Sequence, residues 1–118
     1  MASTTVLIVD DHPSFRACAR RLLEREGYRV VGEAADGESA VSRARELGPH
    51  LALVDVYLPD IDGFEVASRL AALEGAPAIV LISSRDRAEL ERLVPGSSAR
   101  GFVPKDELSR AAIEELLR

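Results

Sequence analysis

Short apolar runs alternate along the chain with stretches whose apolar residues recur at helical spacing. The runs are Val6–Val9, Val30–Val31, Leu51–Val54, Ile79–Ile82 and Phe102–Val103. Several are continuous rather than alternating, which is how strands covered on both faces of a parallel sheet read. The last is short and closes on Pro104, which suits an edge strand, because proline donates nothing to a ladder. Between the runs, Phe15, Cys18, Ala19, Leu22 and Leu23 follow the i, i+3, i+4, i+7, i+8 pattern of one helix face. Ala40, Val41, Ala44 and Leu47 mark a second helix, stopped by Gly48-Pro49. Val66, Leu70 and Leu73 mark a third, and Leu90, Leu93 and Val94 a fourth that Pro95-Gly96 ends early. Leu108, Ala112 and Leu116 mark a fifth. The pattern predicts an α/β fold, a (βα)5 doubly wound five-stranded parallel sheet with right-handed crossovers.

In such sheets ligands bind beyond the carboxyl ends of the strands. The residues that end the apolar runs are Asp10-Asp11, Asp55, Ser83-Ser84 and Lys105. All eight aspartates of the chain follow a strand. Many need no further explanation, since aspartate is among the best helix N-caps. Asp36, Asp86 and Asp106 are read as caps, and Asp62 before Gly63 as either a turn or cap residue or a shaper of a metal loop. Two features resist capping. Asp10 and Asp11 are adjacent although one helix start needs one cap, and Pro13 already marks that start. Asp55 stands too far before its helix to cap it. In the flavodoxin-like strand order 2-1-3-4-5, strands one and three are neighbours, which brings Asp10, Asp11 and Asp55 into one crevice.

Three carboxylates so close repel by about 1 kcal/mol per pair at 4 Å even in water. A divalent cation removes that repulsion, and an all-oxygen donor set selects a hard ion, Mg²⁺ or Mn²⁺. His12 beside Pro13 is read as a solvated loop residue rather than a ligand. Cys18 is read as core. Of 15 basic residues 14 are arginine, so Lys105 is a distinctive compact cation at the same edge, with the Ser83 hydroxyl beside it. A nucleophilic carboxylate, a metal, a cation and a hydroxyl donor are the parts that phosphoryl transfer needs. GxxxxGK[ST] and GxGxxG are both absent, which counts against nucleotide binding.

The 118 residues carry no linker or repeat and read as a single domain, 1–118. A net charge of −5 argues against nucleic-acid binding through these residues. One cysteine, no membrane-length apolar run and no signal peptide lead to the expectation of a cytoplasmic protein without membrane attachment.

Four motifs, in order and suitably spaced, resemble the receiver domain of bacterial two-component response regulators. They are Val6-Leu-Ile-Val-Asp-Asp11, Asp55-Val-Tyr-Leu-Pro-Asp-Ile-Asp-Gly63, Ile82-Ser-Ser84 and Gly101-Phe-Val-Pro-Lys105. The resemblance implies that Asp55 accepts a phosphoryl group from a sensor histidine kinase. It implies that Asp11, Asp55 and the Tyr57 carbonyl hold Mg²⁺, with Asp10 acting through water. Lys105 and Ser83 would contact the phosphoryl group, and Phe102 would swing inward as Ser83 is drawn toward it. Such a domain is a switch that at most catalyses its own phosphorylation and dephosphorylation. Asp-Asp-His-Pro-Ser-Phe-Arg16 and Lys105-Asp106 resemble the branch whose receivers precede a LuxR-type helix-turn-helix, so the expected output is transcription regulation. That DNA-binding domain is not within these residues, and homodimerisation is compatible with the resemblance. The early stop of helix four departs from the family pattern and motivates a second reading, a receiver-like interaction module that works without phosphate. A third, a metal-dependent aspartyl phosphatase of another α/β family, calls for a cap insertion or substrate-specificity segment that is not evident in these residues.

Overall fold

The computed structural model describes residues 3–84 and 87–118. Strands β1 (Thr5–Val9), β2 (Arg29–Ala34), β3 (Leu51–Asp55), β4 (Ala78–Ser83) and β5 (Gly101–Pro104) alternate with helices α1 (Pro13–Arg25), α2 (Gly37–Leu47), α3 (Gly63–Ala71), α4 (Arg87–Leu93) and α5 (Arg110–Leu117). The strands form one parallel sheet, as the apolar runs led us to expect, in the flavodoxin-like order β2-β1-β3-β4-β5. β5 is an edge strand and carries Pro104 at its end.

The continuous apolar runs are explained by two cores, one on each face. Leu7, Val9, Ala52, Val54, Ile79 and Leu81 pack with Ala40 and Ala44 of α2, Val66, Ala67 and Leu70 of α3, and Leu90 of α4. Val6, Ile8, Leu51, Leu53, Val80 and Ile82 pack with Ala19 and Leu23 of α1 and Ile113 of α5. Side chains alternate between faces along each strand, so every residue of a central strand meets a helix. β2, at the other edge, shows a buried-and-partly-buried alternation instead.

The helix ends follow the capping chemistry of the sequence, with one exception. The Asp36 side chain accepts from the Ser39 N–H at 2.8 Å and caps α2. Gly48 stops that helix in the left-handed conformation, φ 55°, which glycine adopts without strain. Asp62 accepts from the Glu65 N–H at 2.8 Å and caps α3. Asp106 caps nothing: it lies in a 3₁₀ turn over Lys105–Glu107, and α5 starts later, where the Ser109 hydroxyl accepts from the Ala112 N–H. Asp86 lies outside the described residues. α4 ends at Leu93 and passes into a 3₁₀ turn over Val94–Gly96, because the Pro95 ring cannot continue an α-helix.

Two residues of the apolar helix stripes are exposed, and one of them, Cys18, is read from the sequence as core. Phe15, Ala19, Leu22 and Leu23 span an apolar arc centred close to Ala19, and at 100° per residue Cys18 falls past its flank. Leu93 is 47% exposed, since α4 ends there before its last turn can close onto the sheet.

Candidate functional site

β1, β3 and β5 deliver their last residues to one edge of the sheet. Val9 pairs with Val54 and Asp55 with Ile82, so Asp10 and Asp55 leave neighbouring strands side by side. The ladder continues one residue past β1, where the Asp10 N–H donates to the Ala34 carbonyl at 3.0 Å. Asp10 and Asp55 are both buried, whereas Asp11 is exposed. Among the described residues, carboxylate oxygens of Asp10, Asp11 and Asp55 and a ring nitrogen of His12 lie within 4.8 Å of one another.

Lys105 follows β5, two strands away from Asp55. Strands are about 4.8 Å apart, so reaching it means crossing the end of β4, a distance that suits a long flexible stem. The Lys105 Nζ lies 2.5 Å from Asp10 Oδ2 and 3.3 Å from Asp55 Oδ2. The contact with Asp55 is a hydrogen bond. The contact with Asp10 is an ion pair without hydrogen-bond alignment, and it leaves the buried Oδ2 without a hydrogen-bond donor. The ammonium also stands 4.6 Å from the centroid of the Phe15 ring, a cation–π distance. One ammonium thus pairs with two carboxylates of a cluster of three.

This imbalance acts on Asp55. Burial pushes its carboxyl above the ordinary aspartate value; the hydrogen bond from the Tyr57 N–H at 3.2 Å pulls it down, Asp10 pushes it up, and Lys105 pulls it down, with a net rise. The donor set is mostly hard oxygen, crowded and short of positive charge, and so fits a divalent cation. Asp11, His12, Asp55, Tyr57, Ser84 and Lys105 line an open pocket of about 240 Å³ there.

The other sequence-derived site residues are distributed around this centre. Tyr57 is 40% exposed at the pocket rim. Ser83 is buried at the end of β4, opposite Pro104, and with Lys105 lines the adjoining depression rather than the carboxylate pocket itself; Ser84 reaches the latter. Phe102 pairs with Leu81 and packs, half-buried, against the core that α2, α3 and α4 cover.

Three positioning devices were not anticipated from sequence. Asp60, in the loop after β3, accepts from the Gly37 N–H at 2.8 Å through one oxygen and from the Glu38 N–H at 2.9 Å through the other. It therefore caps α2 from another loop and ties the loop after Asp55 to that helix. Arg16 donates to the Asp10 carbonyl and, with Arg20, to the two oxygens of Glu33, which braces the acidic loop against β2. Gly63 lies so close to the Asp55 main chain that a Cβ would stand 2.5 Å from the Asp55 carbonyl oxygen. The Asp-Gly pair in the sequence is a signal for the last; the other two carry none, because a surface aspartate or glutamate looks the same whatever it holds.

Comparison with known proteins adds the following. The family model described as "response regulator receiver domain" matches residues 6–118. BvgA of Bordetella pertussis, named as a transcription regulator of virulence factors, is 43% identical over 103 residues, covering 86% of this chain and 49% of BvgA. The chain thus spans about half the length of that relative. The signal receiver domain of the response regulator NarL from Mycobacterium tuberculosis superposes with a TM-score of 0.86 at 31% identity, over 99% of this chain and 98% of that one. A two-component response regulator of the LuxR family from Aurantimonas sp. SI85-9A1 also gives a TM-score of 0.86 at 31% identity, over 98% of this chain and 86% of that one.

Proposed function

The chain belongs to the response regulator receiver domain family, and from that membership we propose that it is a phosphoacceptor switch built on Asp55. The observation that carries the reading is the convergence of a buried Asp55 with Lys105, Asp10 and Asp11 at one open sheet edge. A carboxylate oxygen of Asp55 attacks the phosphorus of a phosphohistidine on a partner kinase. The P–N bond breaks, and the imidazole leaves with the bond's electron pair and takes up a proton. Asp11 and Asp55, with the Tyr57 carbonyl, would hold Mg²⁺ or Mn²⁺ directly, and Asp10 would act through water. When bound, the ion neutralises charge that builds on the phosphoryl oxygens. Lys105 stabilises the same oxygens from the other side, and Ser83 donates to one of them.

The product replaces the single carboxylate charge of Asp55 with roughly two on the phosphoryl group and presents three acceptor oxygens. Lys105 must then divide its ammonium among more acceptors, and Ser83 and Phe102 supply a two-state element that this charge biases. The output is control of transcription, the role that the name of BvgA gives to that relative. The partner is a sensor histidine kinase, and the switched state is open to homodimerisation. Among the described residues no helix is long and apolar enough to cross a membrane.

Incubation with Mg²⁺ and acetyl phosphate should add a single phosphoryl mass, and Asp55→Asn should add none. Equal uptake by the variant would remove Asp55 as nucleophile. The end of α4 at Leu93 favours a second reading, a module that signals without phosphate. It is distinguished by amide chemical shifts that stay unchanged beyond the site when beryllofluoride and Mg²⁺ are added.

A further inference from the structure

We propose, resting on the phosphoacceptor reading above, that Arg87 is a second cation for the phosphoryl group and exchanges its ion pair with Glu107 for the oxygens that Asp55 acquires. Neither residue belongs to the motifs that carry the family resemblance. Their placement beside Ser83 and Lys105 is what brings them in.

Two spaces adjoin at this edge of the sheet. Asp55 lines the carboxylate pocket, and Ser83 lines a depression of about 400 Å³ beside it. Ser84 and Lys105 line both, so the two are continuous. Arg87, at the start of α4, and Glu107, in the 3₁₀ turn after β5, also line the depression. The Arg87 Nη2 donates to Glu107 Oε2, which joins the two elements. A guanidinium thus stands in the space that a phosphoryl oxygen turned toward Ser83 would enter.

The charge balance calls for it. Lys105 is already divided between Asp10 and Asp55, and phosphorylation turns one carboxylate charge into roughly two with three acceptor oxygens. Among the described residues that line the depression, the cations are Lys105 and Arg87, against the acidic Asp106 and Glu107. The present partner of Arg87 is easily given up. Arg87 and Glu107 are 54% and 56% exposed, so water screens their attraction and solvates Glu107 once it is left. A phosphoryl group instead meets the planar fork of the guanidinium with several oxygens, and charge-assisted contacts of that kind are among the stronger hydrogen bonds. The exchange replaces a weak pair with a stronger one and unties α4 from the turn over Lys105–Glu107.

The test is beryllofluoride binding to the full chain at saturating Mg²⁺, measured by calorimetry, with beryllofluoride standing in for the phosphoryl group and its fluorines for the acceptor oxygens. Arg87→Ala and Arg87→Gln should each weaken binding about tenfold or more, the loss expected for a hydrogen bond to a charged group. Glu107→Gln should tighten it about two- to fivefold, the gain that freeing one member of a surface ion pair allows. Both kinds of substitution break the same pair, so a latch of purely structural value would have them weaken binding alike. The double variant Arg87→Ala/Glu107→Gln separates contact from distant charge. With contact, the gain from Glu107→Gln disappears once Arg87 is gone, whereas independent long-range effects add. Wild-type binding in the Arg87 variants, unchanged or weaker binding in Glu107→Gln, or additive effects in the double variant would each overturn the assignment of Arg87 alone. If the wild type binds no beryllofluoride, or Asp55→Asn binds it equally well, the phosphoacceptor reading itself falls, and the role of Arg87 with it.

Discussion

At neutral pH and without metal, Asp55→Asn should make the protein more stable. Asp55 is only 3% exposed, so its charge has surrendered most of its hydration. The Lys105 Nζ at 3.3 Å returns about 5 kcal/mol of attraction at an effective dielectric constant near 20. Asp10, within 4.8 Å, repels by roughly 3.5 kcal/mol on the same scale, and the more exposed Asp11 adds a smaller repulsion. The pairwise terms nearly cancel. What remains is a desolvation penalty of several kcal/mol for a buried ion, offset in part by the Tyr57 N–H. Asparagine keeps an oxygen for that donor and removes the charge, while Lys105 stays paired with Asp10. We expect a gain of about 1–3 kcal/mol, given that each unit by which the Asp55 pKa stands raised is worth about 1.4 kcal/mol.

Urea unfolding in EDTA at pH 7 measures the difference, and thermal unfolding should show a rise of about 4 °C per kcal/mol. The sign follows from linkage. A carboxyl whose pKa is raised on folding binds its proton more tightly in the native state, so native stability falls as pH rises from the unfolded aspartate value through the folded one. The gap between variant and wild type should therefore open across that window, stay constant above it and close in acid. Mg²⁺ should shrink or reverse it, because an ion at a hundred times its dissociation constant stabilises the wild type by about 2.7 kcal/mol. If Asp55→Asn in EDTA is no more stable than wild type, the crowding of charge around Asp55 has been misread.

Asp60→Ala removes two hydrogen bonds from the first turn of α2 and should cost about 1 kcal/mol, with Asp60→Asn retaining part of it; urea midpoints check both. Gly63→Ala drives a Cβ into the Asp55 carbonyl and should cost about 1–3 kcal/mol while weakening Mg²⁺ binding, read by tyrosine emission from Tyr57. Glu33→Gln should lower stability at pH 7 by under about 1 kcal/mol, since the pair is partly exposed. Glu33 is partly buried, which raises its carboxyl, but hydrogen bonds and charge from Arg20 and Arg16 outweigh this and hold it below the usual value. Its contribution is thus present above the unfolded glutamate value and fades as pH falls through the lower folded one, so the wild type and Glu33→Gln should converge in acid.

The alternation of elements and both cores were legible because the relevant signals are local and repeated, whereas the strand order came from the flavodoxin-like fold that such an alternation suggests. A continuous run such as Leu51–Val54 has to be covered twice, and a stripe such as Val66, Leu70 has to cover something. The errors fall where a boundary shifts by a few residues. Reading α5 as starting near Asp106 made that residue a cap, whereas the 3₁₀ turn leaves Ser109 in that position. Counting Cys18 into the α1 stripe by its i+3 spacing from Phe15 put it in the core, although it lies past the flank of that stripe. Asp60, Arg16 and Glu33 were illegible for a different reason: each holds a partner from another element, and that pairing depends on how the loops pack.

The same distinction explains why the site could be found at all. Its chemistry rests on residues that leave their strands at one edge, and a strand end can be read from where an apolar run stops. Lys105 was conspicuous as a lysine among 14 arginines, and its surroundings give that choice a physical reason. The ammonium is packed between two carboxylates and the Phe15 face, having crossed the end of β4 to reach them. A planar guanidinium would present a wider fork of donors and could not turn freely from these partners toward a newly attached phosphoryl group. A compact charge on a flexible stem can hold Asp55 before phosphorylation and follow its new oxygens afterwards, and the surrounding braces at Asp60, Arg16 and Gly63 leave that stem as the part best able to move.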